Sequence, residues 1–177
     1  MEKRLLFSKD IIQKSVSDLA ERINRDYKGK PLIVVGILKG SFVFMADLIR
    51  KLDMEVTVDF VALASYGSGT TSSGEVKMLK DLSAPIEGKH VLVVEDIVDT
   101  GITLKYLKDI LLRRRPKSLA ICTLIDKKAR REVHIDVDYV GLEMDDGFIM
   151  GYGIDCNEAY RNLPEIWVLE EDREKKK

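Results

Sequence analysis

Three carboxylates and a hydroxyl-rich turn crowd one short segment of the chain. An apolar run, Val91 to Val94, leads into Glu95 and Asp96, then Ile97, Val98 and Asp99, then Thr100, Gly101, Ile102 and Thr103. Gly and Thr at a helix N-terminus leave backbone N–H groups and the positive end of the helix dipole open to a phosphate. The three acids repel the same phosphate. Both properties suit a ligand with a phosphate at one end and, a few ångströms away, either hydroxyls that donate to carboxylates or a divalent metal that takes hard oxygen ligands. A sugar phosphate has both ends.

The elements around this segment place it where ligands bind. Val91 to Glu95 reads as a strand buried on both faces, and Ile102 to Leu112 has apolar residues at helical spacing. The acidic loop between them therefore lies at the carboxyl end of a strand, the ligand-binding end of open α/β sheets. Further strands are predicted at Leu32–Leu38, Val56–Ala64, Ser118–Ile125, Val137–Leu142 and Ile166–Leu169, with a hairpin return over Glu75–Leu82. Helices are predicted over Ser8–Tyr27, with Ser8 or Asp10 as N-cap and Gly29 as the stop, and over Phe42–Leu52. Alternating strands and helices imply an α/β fold, a mostly parallel twisted sheet flanked by helices with right-handed crossovers. Residues 1–177 are expected to form one domain, with a small cap over the strand ends from the N-terminal segment and about 145–177. Tyr66 to Gly74 holds three Gly and five Ser or Thr, too few apolar groups to pack, and reads as a mobile lid.

Composition narrows the function. With 177 residues, 45% hydrophobic, the chain can bury one core of ordinary size. Net charge is −1, so no global field draws it to nucleic acid or membrane. Cys122 and Cys156 have no recognisable metal or disulfide spacing, no run reaches the length of a membrane span, and Met1 to Phe7 lacks a signal-peptide core. A cytoplasmic protein is expected. There is no P-loop motif, Gly67 to Gly74 has the wrong spacing and context for a dinucleotide fingerprint, and Asp96 to Gly101 lacks the alternating ligands of a calcium loop.

The order of strand, acid pair, and Asp99-Thr100-Gly101-x-Thr103 closely resembles the phosphoribosyl-pyrophosphate motif of the type I phosphoribosyltransferases. Three further segments resemble the hypoxanthine-guanine branch of that family. Gly36 to Ser41 is similar to the pyrophosphate loop, with Leu38, Lys39 and Gly40 at a strand-to-helix turn whose Leu38–Lys39 bond can be cis. Ser65 and Tyr66 resemble the pair that heads the closing lid. Lys127, and the run Phe148 to Pro164, are similar to the purine-binding end, and the likeness extends from Leu32 to Leu169.

The resemblance implies a fold with a hood over the strand ends, and transfer of 5-phosphoribosyl from phosphoribosyl pyrophosphate to hypoxanthine or guanine, giving IMP or GMP and pyrophosphate. It implies that Ile97 to Thr103 hold the 5′-phosphate, that Glu95 and Asp96 orient the ribose, and that Asp99 takes the proton from the base. Phe148 would stack on the purine, Lys127 would donate to its 6-oxo group, and Ile149 and Asp155 would lie near its 2-position. Lys39 and Arg161 would serve pyrophosphate, and Glu95, Asp96 and Asp155 would hold Mg²⁺. Where some relatives carry a lysine, this chain has Ile102, so phosphate binding rests on N–H groups and on Thr100 and Thr103. Expected partners are these small molecules and further copies of the chain, as a homodimer or homotetramer. The alternative is a regulator of the same fold that senses phosphoribosyl pyrophosphate and binds nucleic acid through Arg113 to Arg115 and Lys127, Lys128, Arg130 and Arg131. It is disfavoured by the charge balance and by the lack of an appended DNA-binding helix pair.

Overall fold

The computed structural model describes residues 2–66 and 75–170. Its main sheet contains β2 (Leu32–Leu38), β3 (Val56–Tyr66), β4 (Glu75–Lys80), β5 (His90–Val98), β6 (Ser118–Lys127) and β7 (Tyr139–Met144). Their order is β4-β3-β2-β5-β6-β7, parallel throughout except for β4 at the edge. β2 and β5 are neighbours in space, and the strand order reverses between them. Ile33, Val34, Val35 and Gly36 pair with Val91, Leu92, Val93 and Val94, which explains why both segments are near-continuous apolar runs.

The helices divide between the two faces. α1 (Lys9–Asp26) begins at Ser8, whose hydroxyl accepts from the N–H of Ile11 at 3.4 Å, and it buries Ile12, Val16, Leu19, Ala20 and Ile23. These pack with Phe44, Met45 and Leu48 of α2 (Phe42–Ile49) over Val34, Leu92 and Cys122. α3 (Ile102–Arg113) buries Leu104, Leu107 and Leu111 with Val35, Val93 and Ile121, the residues of alternate parity on the same strands. Because α2 leaves β2 toward one face and α3 leaves β5 toward the other, a crevice opens between the carboxyl ends of these strands. The turn after β2 and the acidic segment of β5 line it.

A second sheet has the order β1-β9-β8, from Glu2–Phe7, Ile166–Glu170 and Phe148–Met150. The Ile166–Leu169 strand belongs here and not to the main sheet. Its partners are Lys3 to Phe7 on one side and Phe148 to Met150 on the other, pairings that span most of the chain. Ile166, Val168, Ile149 and Ile154 bury their side chains in the same cluster as α1 and α2. That burial fixes the second sheet to the body of the fold. The central part of the predicted lid, Gly67 to Gly74, lies outside the described residues, as does the tail after Glu170.

Candidate active site

The acidic segment starts inside a strand. β5 continues to Val98, three residues beyond the predicted end, because Ile97 and Val98 still pair with Ile125 and Asp126 of β6. Glu95 and Asp96 are thus held by the sheet and not by a loop. Burial raises the Glu95 carboxyl well above the usual carboxylate range, and the neighbouring Asp96 carboxylate raises it further.

After Val98 the chain turns sharply into α3. Gly101 is the N-cap, at φ +84, and a Cβ there would lie 2.8 Å from the Val133 carbonyl oxygen. Among the described residues no side chain caps this helix at Gly101, and the Ile102 N–H is directed to Thr100 Oγ1 at 3.4 Å. The loop is braced from behind. The Thr100 carbonyl accepts from the N–H groups of Glu132 and Val133 at 3.0 and 3.1 Å, and Arg131 donates to the carbonyls of Asp99 at 2.8 Å and Val98 at 3.4 Å. Arg131 in turn pairs with Asp126, which is only 5% exposed. This brace was missed in the sequence, where Arg131 reads as part of a basic face. An acid at the end of the apolar run of β6, five residues before Arg131, is the signal that could have revealed it.

The other segments converge on the same crevice. A Cβ on Gly40 would collide with the Asp96 carboxylate, and one on Gly153 with the Gly40 carbonyl, so the turn after β2 touches both the acid pair and the 151–161 segment. The Leu38–Lys39 peptide is cis. Lys39 Nζ lies 2.6 Å from Glu158 Oε2. Arg161 pairs with Asp155 Oδ1 at 2.9 Å, sits 3.7 Å from Glu158 Oε1 and donates to the Gly153 carbonyl at 2.9 Å.

Lys127 joins the acidic segment to the aromatic one. At the end of β6 it is 4% exposed, and its ammonium lies 3.6 Å from Asp99 Oδ2, 3.1 Å from Asp146 Oδ1 and 6.0 Å from the centre of the Phe148 ring. It also donates to the Gly147 carbonyl at 3.2 Å. Phe148 is 65% exposed, an open aromatic face beside a buried cation, while its neighbour Ile149 is buried. Asp99 Oδ2 also meets Arg130 at 3.5 Å, whereas its Oδ1 is buried with no hydrogen-bond partner among the described residues. An unsatisfied buried acceptor in a cleft is an unmet demand for a proton donor.

Glu95, Asp96, Asp99, Lys39, Gly40, Lys127, Phe148, Asp155 and Arg161 therefore all lie on segments that meet at the β2–β5 crevice. Ser65 and Tyr66 close β3 opposite Val76 and Glu75. No three Asp, Glu, His or Cys side chains gather at one point among the described residues. Asp155 is committed to Arg161 and, through Oδ2, to the N–H of Glu158 at 2.9 Å. The basic residues of the alternative reading are turned onto acids: Arg114 onto Asp81, Arg115 onto Glu87 and Lys128 onto Glu143.

An open parallel sheet with an acid pair and a helix N-terminus at its switch point has the chemistry to take a sugar phosphate. A phosphoribosyl transferase domain is recognised over residues 6–157, and the chain belongs to that family. Its relatives include the hypoxanthine-guanine phosphoribosyltransferase of Aquifex aeolicus, 47% identical over 169 residues that make up 95% of each chain. The enzyme of that name from Staphylococcus epidermidis is 49% identical over 94% of this chain and 93% of its own. The crystal structure of a hypoxanthine phosphoribosyltransferase from Staphylococcus aureus superposes with a TM-score of 0.91 at 47% identity, covering 94% of this chain and 91% of that one.

Proposed function

We propose that this enzyme transfers the 5-phosphoribosyl group from phosphoribosyl pyrophosphate to an imidazole-ring nitrogen of hypoxanthine or guanine, releasing pyrophosphate and giving IMP or GMP. The observation that carries the reading is the junction at Lys127. One buried ammonium stands between the open Phe148 ring and Asp99, whose free oxygen has no donor among the described residues.

A purine stacked on Phe148 places an oxo group within reach of Lys127 and its ring N–H beside the Asp99 carboxylate. As the bond to pyrophosphate breaks, positive charge develops on the sugar and negative charge on the leaving group. Glu95 and Asp96 orient the ribose hydroxyls and favour the cationic sugar. The N–H groups from Gly101 to Thr103, with the Thr100 and Thr103 hydroxyls, hold the 5′-phosphate, while Lys39 and Arg161 receive the pyrophosphate. Asp99 accepts the proton the base must lose. Ser65 and Tyr66, heading the 67–74 segment, are assigned to water exclusion over the reacting centre.

Mg²⁺ is the expected cofactor, and the donor set fits it. Magnesium is commonly held by one or two carboxylates together with substrate and water oxygens, not by a full protein cage. Glu95 and Asp96 supply the carboxylates, and a divalent cation beside them would favour their charged forms against the burial and the Asp96 repulsion that raise the Glu95 carboxyl. Asp155 joins them only by releasing Arg161. When bound, the ion neutralises charge on the pyrophosphate.

No helix among the described residues is long and apolar enough to cross a membrane, and Cys122 and Cys156 are free thiols. These observations support a cytoplasmic location. We assign the chain to a homodimer or homotetramer and to no nucleic-acid partner. With phosphoribosyl pyrophosphate, Mg²⁺ and hypoxanthine, the protein is expected to release pyrophosphate and form IMP in equal amounts. Absence of turnover together with salt-dependent binding of labelled RNA would favour the regulator instead.

A further inference from the structure

Glu158 stands between the two cations assigned to the departing pyrophosphate. Its Oε2 is 2.6 Å from Lys39 Nζ and its Oε1 is 3.7 Å from the Arg161 guanidinium. Among the described residues Lys39 has no other ion-pair partner, although Glu158 lies 119 positions away in sequence.

The backbone aims this carboxylate. Cys156 and Ala159 exchange hydrogen bonds of 3.0 and 3.1 Å across the turn, and the Glu158 N–H donates to Asp155 Oδ2 at 2.9 Å. Asn157, Glu158 and Tyr160 take φ values of +51, +63 and +71, a left-handed backbone that non-glycine residues adopt only where the surroundings hold it. Arg161 anchors the same turn through Asp155 and the Gly153 carbonyl. Both ends of the turn are fixed, and the carboxylate projects toward the Lys39 turn.

We propose that Glu158 is an internal stand-in for pyrophosphate. In the free protein it pairs with Lys39 and Arg161, it yields them when phosphoribosyl pyrophosphate binds, and it takes them back as pyrophosphate leaves. The inference rests on the assignment of Lys39 and Arg161 to the pyrophosphate group.

A ligand that must displace an internal competitor binds more weakly, in proportion to the fraction of protein in which the cations are free. The side chains of Lys39 and Glu158 are 66% and 70% exposed, so the pair is solvated and its displacement inexpensive. Phosphoribosyl pyrophosphate and pyrophosphate are weakened by the same factor, which shortens the stay of the product. Purine binding, which uses neither cation, is unaffected.

The test is Glu158→Gln, which keeps the size and removes the charge, with Glu158→Asn as a shorter variant suited to the left-handed turn. Pyrophosphate with Mg²⁺ is titrated calorimetrically, and the KM values for phosphoribosyl pyrophosphate and hypoxanthine are measured. Both variants should bind pyrophosphate and phosphoribosyl pyrophosphate about 1.5- to 5-fold more tightly, the range expected of exposed ion pairs. The hypoxanthine KM and the melting temperature should stay unchanged. Unchanged affinities in both variants overturn the proposal, and weaker binding does so too, because Glu158 would then be holding the cations in their productive places. Failure of the unsubstituted protein to bind either phosphate compound would instead take down the functional assignment along with the proposal.

Discussion

The phosphate loop, Val98 to Thr103, and the hood turn, Asp145 to Arg161, are the two regions proposed to meet the substrates, and they are built on opposite plans. The loop offers N–H groups at a helix start with no charged side chain among them after Asp99, and it is braced from outside by Arg131 and by the backbone of Glu132 and Val133. Its ligand finds the donors already free. The hood turn instead supplies acids that already hold the cations: Asp146 on Lys127, Glu158 on Lys39, and Asp155 on the turn's own Arg161. A ligand arriving there must exchange one set of ion pairs for another. The 5′-phosphate stays with the sugar throughout the reaction and suits a preformed cradle, whereas the purine and pyrophosphate must enter and leave. A site that trades partners gives up affinity and gains turnover.

Asp99 lies where the two plans meet, and changing it should have the largest effect. Asp99→Asn keeps the loop backbone and should retain binding of phosphoribosyl pyrophosphate, while turnover falls by about 10²–10⁴-fold, the usual worth of a positioned acid or base. Calorimetry and steady-state rates on one preparation check this. Near-normal turnover removes Asp99 from the chemistry.

Arg131→Met attacks the brace alone. It leaves the buried Asp126 carboxylate without its partner, which costs about 3–5 kcal/mol, and frees the Asp99 and Val98 carbonyls. The melting temperature should fall by about 6–20 °C. Slackening of the loop should lower kcat/KM for phosphoribosyl pyrophosphate by about 10²-fold. A stable variant with unchanged kcat/KM would mean that the loop holds its shape unaided.

Glu95→Gln should have the smallest effect and the opposite sign on stability. The folded protein holds a proton on Glu95 to higher pH than the unfolded chain does. Stability from this group is therefore fully present below the unfolded value of 4.5, is lost as pH rises through the raised folded pKa, and the cost persists at neutral pH. Glutamine removes that cost, so the free protein should melt at a higher temperature at pH 7.5. The gain should vanish below pH 4.5, and use of phosphoribosyl pyrophosphate should weaken. A melting temperature that falls at pH 7.5 would contradict the burial argument.

The two regions also differ in how much of them could be read from the chain. The phosphate loop was readable because its determinants are local: an apolar strand, acids, a glycine for the left-handed N-cap and helical spacing follow one another within the same stretch. The hood was expected as a cap over the strand ends, but its chemistry was readable only through resemblance. β8 and β9 pair with each other and with residues at the opposite end of the chain, so Ile166–Leu169 looked like one more strand of the main sheet. Tyr152, Asn157, Glu158 and Tyr160 take left-handed backbone without a glycine to mark it. Arg131 and Lys127 shared one basic run, yet one braces the loop and the other enters the site. Strand pairing decided which, since Lys127 ends β6 and Arg131 lies in the turn after it.

The central claim, that a buried Lys127 beside Phe148 and Asp99 selects a 6-oxopurine, is tested most directly by the ratio of kcat/KM for hypoxanthine to that for adenine, with and without Lys127→Ala. A site built to donate a hydrogen bond rejects an analogue that cannot accept it by about 10⁴–10⁵-fold. The account predicts a strong preference for hypoxanthine in the unsubstituted enzyme, largely abolished in the variant while binding of phosphoribosyl pyrophosphate survives. Equal or better use of adenine by the unsubstituted enzyme would contradict it.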